Sequence, residues 1–304
     1  MLKPWFLFLL PLLLTGPALG QTVHSLDQVP GALKTPEAKA AFAQQIEGQP
    51  APDSLGARLP PVLTAAQIDG LLVPAGDTSP ANLVGARPMP GQPGVFVAIV
   101  CTGGNAPGPS DDKTCDQTDS GSPQPAMHAY VGLIQVVAGA PPRLLARPAE
   151  LDGRVDWQDT ILGDAPDGAD DAGGGVLTPD AITGFDLAPY VVAPGERAFG
   201  LLGEWNVGYA GGGAQYHALY LFAVEDGVVT QILATPMSFS KMLAGDWHKD
   251  GTRDHDLSEG ANVLVVTKHM TDGHFDLLQK TRGGGASRVF RWSAAAKRYE
   301  PDGR

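Results

Sequence analysis

The sequence predicts a mainly β protein, built from antiparallel sheets of short strands in a sandwich or barrel-like arrangement. Three observations support this prediction. The 304 residues include 39 glycines and 27 prolines, which favours turns and short strands over long helices. From residue 94 onwards, segments rich in β-branched and aromatic residues alternate with turn residues. Hydrophobic residues make up 43% of the chain, enough to bury a sizeable core.

Residues 1–20 have the composition of a secretory signal peptide. Lys3 precedes an apolar run over 5–14, and small residues close the segment. A transmembrane helix needs roughly 20 apolar residues, whereas this run is shorter and contains Pro11. We therefore expect cleavage before Gln21, a periplasmic or extracellular location, and no membrane span in the mature protein.

Segment 21–93 is rich in proline and glycine, and a short helix is predicted within it. The stretch "TPEAKAAFAQQIEG" begins with Thr35 as a capping residue, has Pro36 in the first turn and ends at Gly48. A second short helix is predicted over "LTAAQIDGLL". The glycines and prolines of 74–93 argue against regular structure there.

Two β units are predicted next, over 94–162 and 176–304, with an acidic, glycine-rich linker at 163–175. The first unit should hold strands at 94–101, 128–137 and 143–147. The second should hold strands at 197–205, 217–227, 228–236, 261–268, 274–281 and 287–294. Both units show strand, long loop, strand, tight turn and strand. Two explanations stay open: two similar hairpin-based halves, or chance agreement between hairpins of similar composition.

The cysteines Cys101 and Cys115 predict a structural disulfide in the first β unit. An isolated pair in an oxidising compartment usually forms a bridge. Redox motifs keep two residues between their sulfurs, and zinc sites combine four ligands at short spacing. Neither pattern is present in "CTGGNAPGPSDDKTC".

Charge limits the classes of partner. The chain has 21 Lys and Arg against 33 Asp and Glu, a formal net charge of −12. An acidic protein of this kind lacks the basic surface that binds nucleic acid or anionic membranes. We therefore expect no nucleic-acid partner, and a protein or carbohydrate partner instead.

Four aromatic residues form the predicted ligand-binding group. They flank a glycine-rich loop and the acidic run that follows the next strand: Trp205, Tyr209, Tyr216 and Trp247. Exposed aromatics on loops commonly bind carbohydrate or protein. The alternative is that these side chains cap the ends of a β core.

The acidic run "AGDWHKDGTRDHDLSEG", residues 244–260, partly fits the frame of a calcium loop, which makes calcium a hypothesis and not a predicted cofactor. Its candidate ligands are Asp246, His248, Asp250 and Asp254. Gly251 takes the sharp-turn position, but a histidine stands among the ligands, and Leu257 replaces the final glutamate. The alternative is an inter-strand loop whose acids pair with neighbouring cations. A transition metal on His248 and His255 is a further hypothesis. No cofactor is predicted.

Signatures of catalysis are mostly missing. The chain has no nucleophile elbow and no Walker loop, and no catalytic residue is predicted. Ser238 and Lys241 fit a Ser-x-x-Lys pattern without its companion motifs. The sequence therefore favours an exported, soluble binding or interaction module of the bacterial envelope or extracellular space. The alternative is an envelope-polymer hydrolase or metal-dependent protein that uses 244–260.

Overall fold

The fold is mostly antiparallel β-sheet with few helices, as the sequence predicts. The computed structural model describes residues 20–103, 113–116, 127–158, 160–169 and 175–303. Strands account for 53% of the described residues and helices for 10%. The predicted signal peptide lies outside the described residues, apart from Gly20.

The helices lie near the start of the described chain. They are α1 (Val29–Ala32), α2 (Pro36–Gln45) and α3 (Ala65–Leu72), with a short 3-10 helix at Leu26–Gln28. The strands are β1 (Gln21–Val23), β2 (Ala81–Pro88), β3 (Val95–Thr102), β4 (Cys115–Asp116), β5 (His128–Gln135), β6 (Arg143–Leu144), β7 (Ala149–Glu150), β8 (Val155–Asp156), β9 (Val176–Leu177), β10 (Ala181–Ala193), β11 (Glu196–Tyr209), β12 (Gly212–Glu225), β13 (Val228–Trp247), β14 (Arg253–Thr271), β15 (His274–Thr281), β16 (Ser287–Ser293) and β17 (Arg298–Pro301).

A small antiparallel sheet has the strand order β2-β3-β5-β6, and β7 also pairs with β5. β3 is buried along its whole length, which explains its continuous apolar sequence. The sequence argued against regular structure in 74–93, and this prediction was wrong, because β2 lies within that segment. β2 is an edge strand, the position in a sheet that tolerates the proline at its end, Pro88.

A larger sheet contains β10 to β17, each paired with the strand that follows it. β4 extends its first edge, and β1 pairs with β14. Its strands reach 20 residues, longer than the sequence predicted. The first part of β14 pairs with β13 and the rest with β15, so the sheet curls into a half-barrel.

The outer face of the half-barrel packs against the small sheet. Side chains alternate between the two faces of a strand. On β12, Tyr216, Tyr220 and Phe222 therefore join a buried cluster with Val97 and Val131 of the small sheet. The predicted units 94–162 and 176–304 thus share one hydrophobic core.

The concave face of the half-barrel holds a second core. Leu219 and Leu221, the alternate residues of β12, pack with Leu277, Phe290 and Trp292 from the strands that curl back over them. Strands β11 and β12 are therefore buried on both faces, which is why "HALYLFAVE" is almost uniformly apolar.

The segment before β2 covers parts of both sheets. Ile68 and Leu72 of α3 pack on the outer face of the small sheet. Val29 of α1 and Ala38 of α2 pack against Leu257 of β14. Both predicted helices are confirmed, with threonine caps at Thr35 and Thr64.

The predicted linker 163–175 is packed against the larger sheet in its described part. Asp164 Oδ2 lies 3.3 Å from Lys241 Nζ, and Ala169 is buried. The centre of the segment, 170–174, lies outside the described residues.

The predicted disulfide is confirmed as a bonded pair. The Cα atoms of Cys101 and Cys115 are 6.0 Å apart, within the usual range for disulfides. Cys101 belongs to β3, and Cys115 pairs opposite Ile182 of β10. The bond therefore joins the small sheet to the edge of the larger one.

Removing the disulfide with the double substitution Cys101→Ala, Cys115→Ala should lower the free energy of unfolding by about 3 kcal/mol. Closing a loop of this length restricts the unfolded chain by that amount. Urea denaturation with and without reductant measures the loss. Reductant should destabilise the parent protein and leave the variant unchanged; equal stability of parent and variant in oxidising buffer would contradict this account.

Candidate functional site

Two of the four predicted ligand-binding aromatics are core residues. Trp205 is 4% exposed and Tyr216 is fully buried. Both make edge contacts with the buried Trp157, at ring-centroid distances of 5.1 and 5.8 Å. These two side chains are not exposed, in contrast to the expectation, because they lie on strands whose outer face packs on the small sheet.

The other two aromatics lie near the ends of strands. Tyr209 is half-buried, and Lys241 Nζ lies 5.5 Å from its ring centroid. Trp247 is 69% exposed and carries the Arg253 guanidinium over its ring at 5.2 Å. The glycine-rich stretch between Trp205 and Tyr216 is a continuation of β11 and β12 with a tight turn, not a long loop.

The acidic run 244–260 is a hairpin instead of a long loop. Trp247 pairs with Arg253 across a short turn, so the frame of a twelve-residue calcium loop is not formed. Asp250 Oδ1 accepts hydrogen bonds from the amide and hydroxyl of Thr252 and closes the turn. His248 Nε2 and Asp254 Oδ1 are 2.7 Å apart, while Asp246 contributes to neither contact.

A cavity of about 480 Å³ lies on the concave face of the half-barrel. Strands β10 to β14 form its floor, and α2 and residues 51–54 lie beside it. Its apolar lining includes Tyr190, Leu202, Leu219, Met237 and Leu264. The volume is typical of a pocket for a small organic molecule.

A row of three polar residues crosses this cavity. The strand register places Glu204 of β11 opposite His217 of β12, and His217 opposite Ser238 of β13. His217 Nδ1 lies 3.9 Å from Glu204 Oε2, beyond hydrogen-bond distance. These residues line the cavity and form its polar end.

Burial favours the neutral forms of the two titratable groups in this row. It lowers the pKa of His217 to about 4. It also raises the pKa of the Glu204 carboxyl, although hydrogen bonds from Asn206 and Gln215 oppose that shift. His217 is therefore a neutral imidazole at neutral pH.

Asn262, which lines the cavity, has one buried side-chain atom without a hydrogen-bond partner in the described part of the chain. Asn262 Nδ2 donates to the carbonyl oxygen of Pro236 at 3.3 Å. The buried Oδ1 of Asn262 has no hydrogen-bond partner among the described residues. A buried polar atom without a partner costs about 1–3 kcal/mol. Because this oxygen has almost no accessible surface, the polar groups that a ligand in the cavity meets are those of the row Glu204, His217 and Ser238.

Helix α2 is held beside the cavity by a carboxylate. Glu259 of β14 accepts hydrogen bonds from the Lys34 amide at 2.7 Å and from the Thr35 amide and hydroxyl at 2.9 and 2.6 Å. Arg282 and Glu37 form an ion pair at 3.5 Å beside the cavity. The carboxylate fixes the N-terminus of α2, where negative charge is favourable.

A second cavity of about 570 Å³ lies beneath α1 and α2. Its lining includes Leu33, Phe42, Met242 and Leu257. The first cavity is the stronger candidate site, because it brings a buried acid and an imidazole together in one pocket.

Ser, His and Glu are the residue types of a hydrolytic triad, but their arrangement favours binding. His217 Nε2 contacts Gln215 Oε1 at 3.2 Å. Its Nδ1 is too far from Glu204 to be oriented by a hydrogen bond. The row therefore offers hydrogen-bonding groups without the base-to-acid contact that orients a catalytic histidine.

Comparison with protein-family models, with curated proteins and with solved structures finds no match. No helix in the described part of the chain has the length and apolar character to cross a membrane.

The sequence did not predict that Glu204, His217 and Asn262 would line one cavity. The available signal was a polar residue at a buried position of an otherwise apolar strand, as at His217 in "HALYLFAVE". Their convergence depends on the cross-strand register, which the sequence does not reveal.

Replacing Glu259 with alanine should release the start of α2. The variant loses three hydrogen bonds, and we expect the free energy of unfolding to fall by about 1–3 kcal/mol. Hydrogen exchange of the α2 amides should become faster. Glu47→Ala, which removes an exposed acid near the other end of α2, is the control; equal α2 exchange in both variants would contradict this role.

His217 should make the protein less stable in acid. Its folded pKa of about 4 lies below the unfolded value of 6.5, so between these pH values the unfolded state binds more protons. Stability is then lost as pH falls from 6.5 to 4, by up to about 3 kcal/mol. Urea denaturation at pH 7 and 4.5 should show a smaller loss for His217→Gln. Parallel losses in both proteins would show that His217 is not held neutral.

Proposed function

We propose that this chain is an exported binding protein for a small amphipathic molecule, which enters the cavity on the concave face of the half-barrel. The observation that carries the proposal is the polar row of Glu204, His217 and Ser238 at one end of an otherwise apolar cavity. Pockets that combine apolar walls with a few convergent polar groups are typical ligand sites.

The polar end favours a ligand with a hydrogen-bond donor. The carboxyl groups of Glu204 and Asp186 offer acceptor oxygens in its lining. Neutral His217 adds no positive charge, and Arg282 is paired with Glu37. A hydroxyl or amino group therefore fits this end better than a carboxylate does.

The apolar walls favour a hydrocarbon body on the same ligand. Leu202, Leu219 and Leu264 line the cavity beside the polar row. Each methylene group that they remove from water adds roughly 0.8 kcal/mol of favourable transfer free energy. The ligand is thus an alcohol or amine with an apolar tail or ring system.

The proposed export rests on the composition of residues 1–20, and the disulfide between Cys101 and Cys115 is consistent with it. Binding is favoured over hydrolysis in this cavity, because His217 Nδ1 lies 3.9 Å from Glu204 Oε2 and lacks the hydrogen bond that orients a catalytic histidine.

A fluorescent amine tests the proposal. N-phenyl-1-naphthylamine has an N–H donor and fluoresces strongly in apolar surroundings, so its fluorescence should rise on titration with the protein. Decan-1-ol and decylamine should displace it more effectively than decanoate. Leu202→Trp should raise its Kd at least tenfold, equivalent to about 1.4 kcal/mol, by filling the cavity.

The matched control is Leu243→Trp, which adds the same ring at an exposed position of β13. Glu204→Leu should remove the preference for the alcohol and the amine over decanoate. Equal probe affinity for the two tryptophan variants, or displacement by decanoate alone, would contradict the proposal.

A further inference from the structure

A cluster of two imidazoles and one carboxylate lies away from the cavity, between β1 and the β13–β14 hairpin. His24 Nδ1 lies 2.8 Å from Asp254 Oδ1, and His248 Nε2 lies 2.7 Å from the same oxygen. The three ligand atoms all lie within 4.8 Å of one another. The two imidazole rings meet edge-on, with centroids 5.6 Å apart.

The sheet register creates this cluster. β1 pairs with β14 so that Val23 lies opposite His255, and continuing the antiparallel register places His24 opposite Asp254. The hairpin turn returns the chain so that His248 also reaches Asp254. Residues more than 200 positions apart thus converge on one oxygen.

We propose that His24, His248 and Asp254 bind a transition-metal ion of the zinc type at this surface. Two histidines and one carboxylate are a ligand set that Zn²⁺ accepts with a water in the fourth position. Zinc holds nitrogen and oxygen ligands at roughly 2.0–2.2 Å, which puts two of its ligands about 3.4 Å apart in a tetrahedral site. To reach that spacing, the two nitrogens must move away from Asp254 Oδ1, from which they lie 2.8 and 2.7 Å, and they already lie within 4.8 Å of each other.

The choice of metal follows from the donor atoms. Imidazole nitrogen suits Zn²⁺, Cu²⁺ and Ni²⁺, whereas Ca²⁺ and Mg²⁺ require a shell of oxygens. Asp250 is committed to closing the turn through Thr252. The nearby carboxylates of Asp246 and Asp250 act on His248 electrostatically and favour a bound cation over the empty site.

Without a metal ion, His24 and His248 must each donate a hydrogen bond from a ring N–H to the shared carboxylate oxygen of Asp254. A metal ion replaces this arrangement with direct bonds to the ring nitrogens and the carboxylate. It would join β1 to the hairpin tip and hold the segment that leads into α1 and α2. The ion would therefore stabilise the N-terminal part of the fold.

Zinc binding to the protein, purified without a histidine tag, tests the proposal. Competition with the chromophoric chelator 4-(2-pyridylazo)resorcinol should give one bound Zn²⁺ per chain. His24→Gln, His248→Gln and Asp254→Asn should each raise the Kd for Zn²⁺ at least tenfold. Zinc should also raise the melting temperature of the parent protein and not of the variants, since only a native site shifts the midpoint.

His269→Gln is the matched control. His269 also contacts a carboxylate, Asp276 Oδ2 at 2.6 Å, and is not part of the cluster. This variant should bind Zn²⁺ like the parent. Melting in the absence of metal shows that each variant folds. Unchanged affinity in His24→Gln, no bound zinc in the parent, or a preference for Ca²⁺ would overturn the proposal.

Discussion

Two-sided burial of the central strands β11 and β12 is the constraint on which the rest of the structure depends. Their alternate residues serve two different cores: Tyr216, Tyr220 and Phe222 face the small sheet, while Leu219 and Leu221 face the inside of the half-barrel. A shift of register by one residue would exchange these faces. The curl that brings β15 to β17 over the concave face gives the second set of side chains a partner.

The candidate site arises where this double burial is interrupted. Three neighbouring positions on the concave face carry polar side chains, those of Glu204, His217 and Ser238. Other concave-face positions of these strands carry leucine. The common burial of the polar groups explains why the imidazole pKa falls and the carboxyl pKa rises. Helix α2, held by Glu259, lies beside the resulting cavity.

Local features of the fold could be predicted from the sequence, and features that depend on register could not. The helix capped by Thr35 and the disulfide between Cys101 and Cys115 follow from residue type and spacing. The burial of Trp205 and the contact between His24 and Asp254 depend on which strands pair and with what offset. Glycine-rich stretches were interpreted as loops, although glycines such as Gly212 permit close strand contact: a Cβ there would lie 1.9 Å from the Met242 carbonyl oxygen.

The most direct test of the proposed binding site is a crystal structure of the complex with N-phenyl-1-naphthylamine. We expect the naphthyl ring among Leu202, Leu219 and Leu264, with the amine nitrogen about 3 Å from a carboxyl oxygen of Glu204. A probe bound in the neighbouring cavity beneath α1 and α2, or on the outer surface, would contradict the proposal.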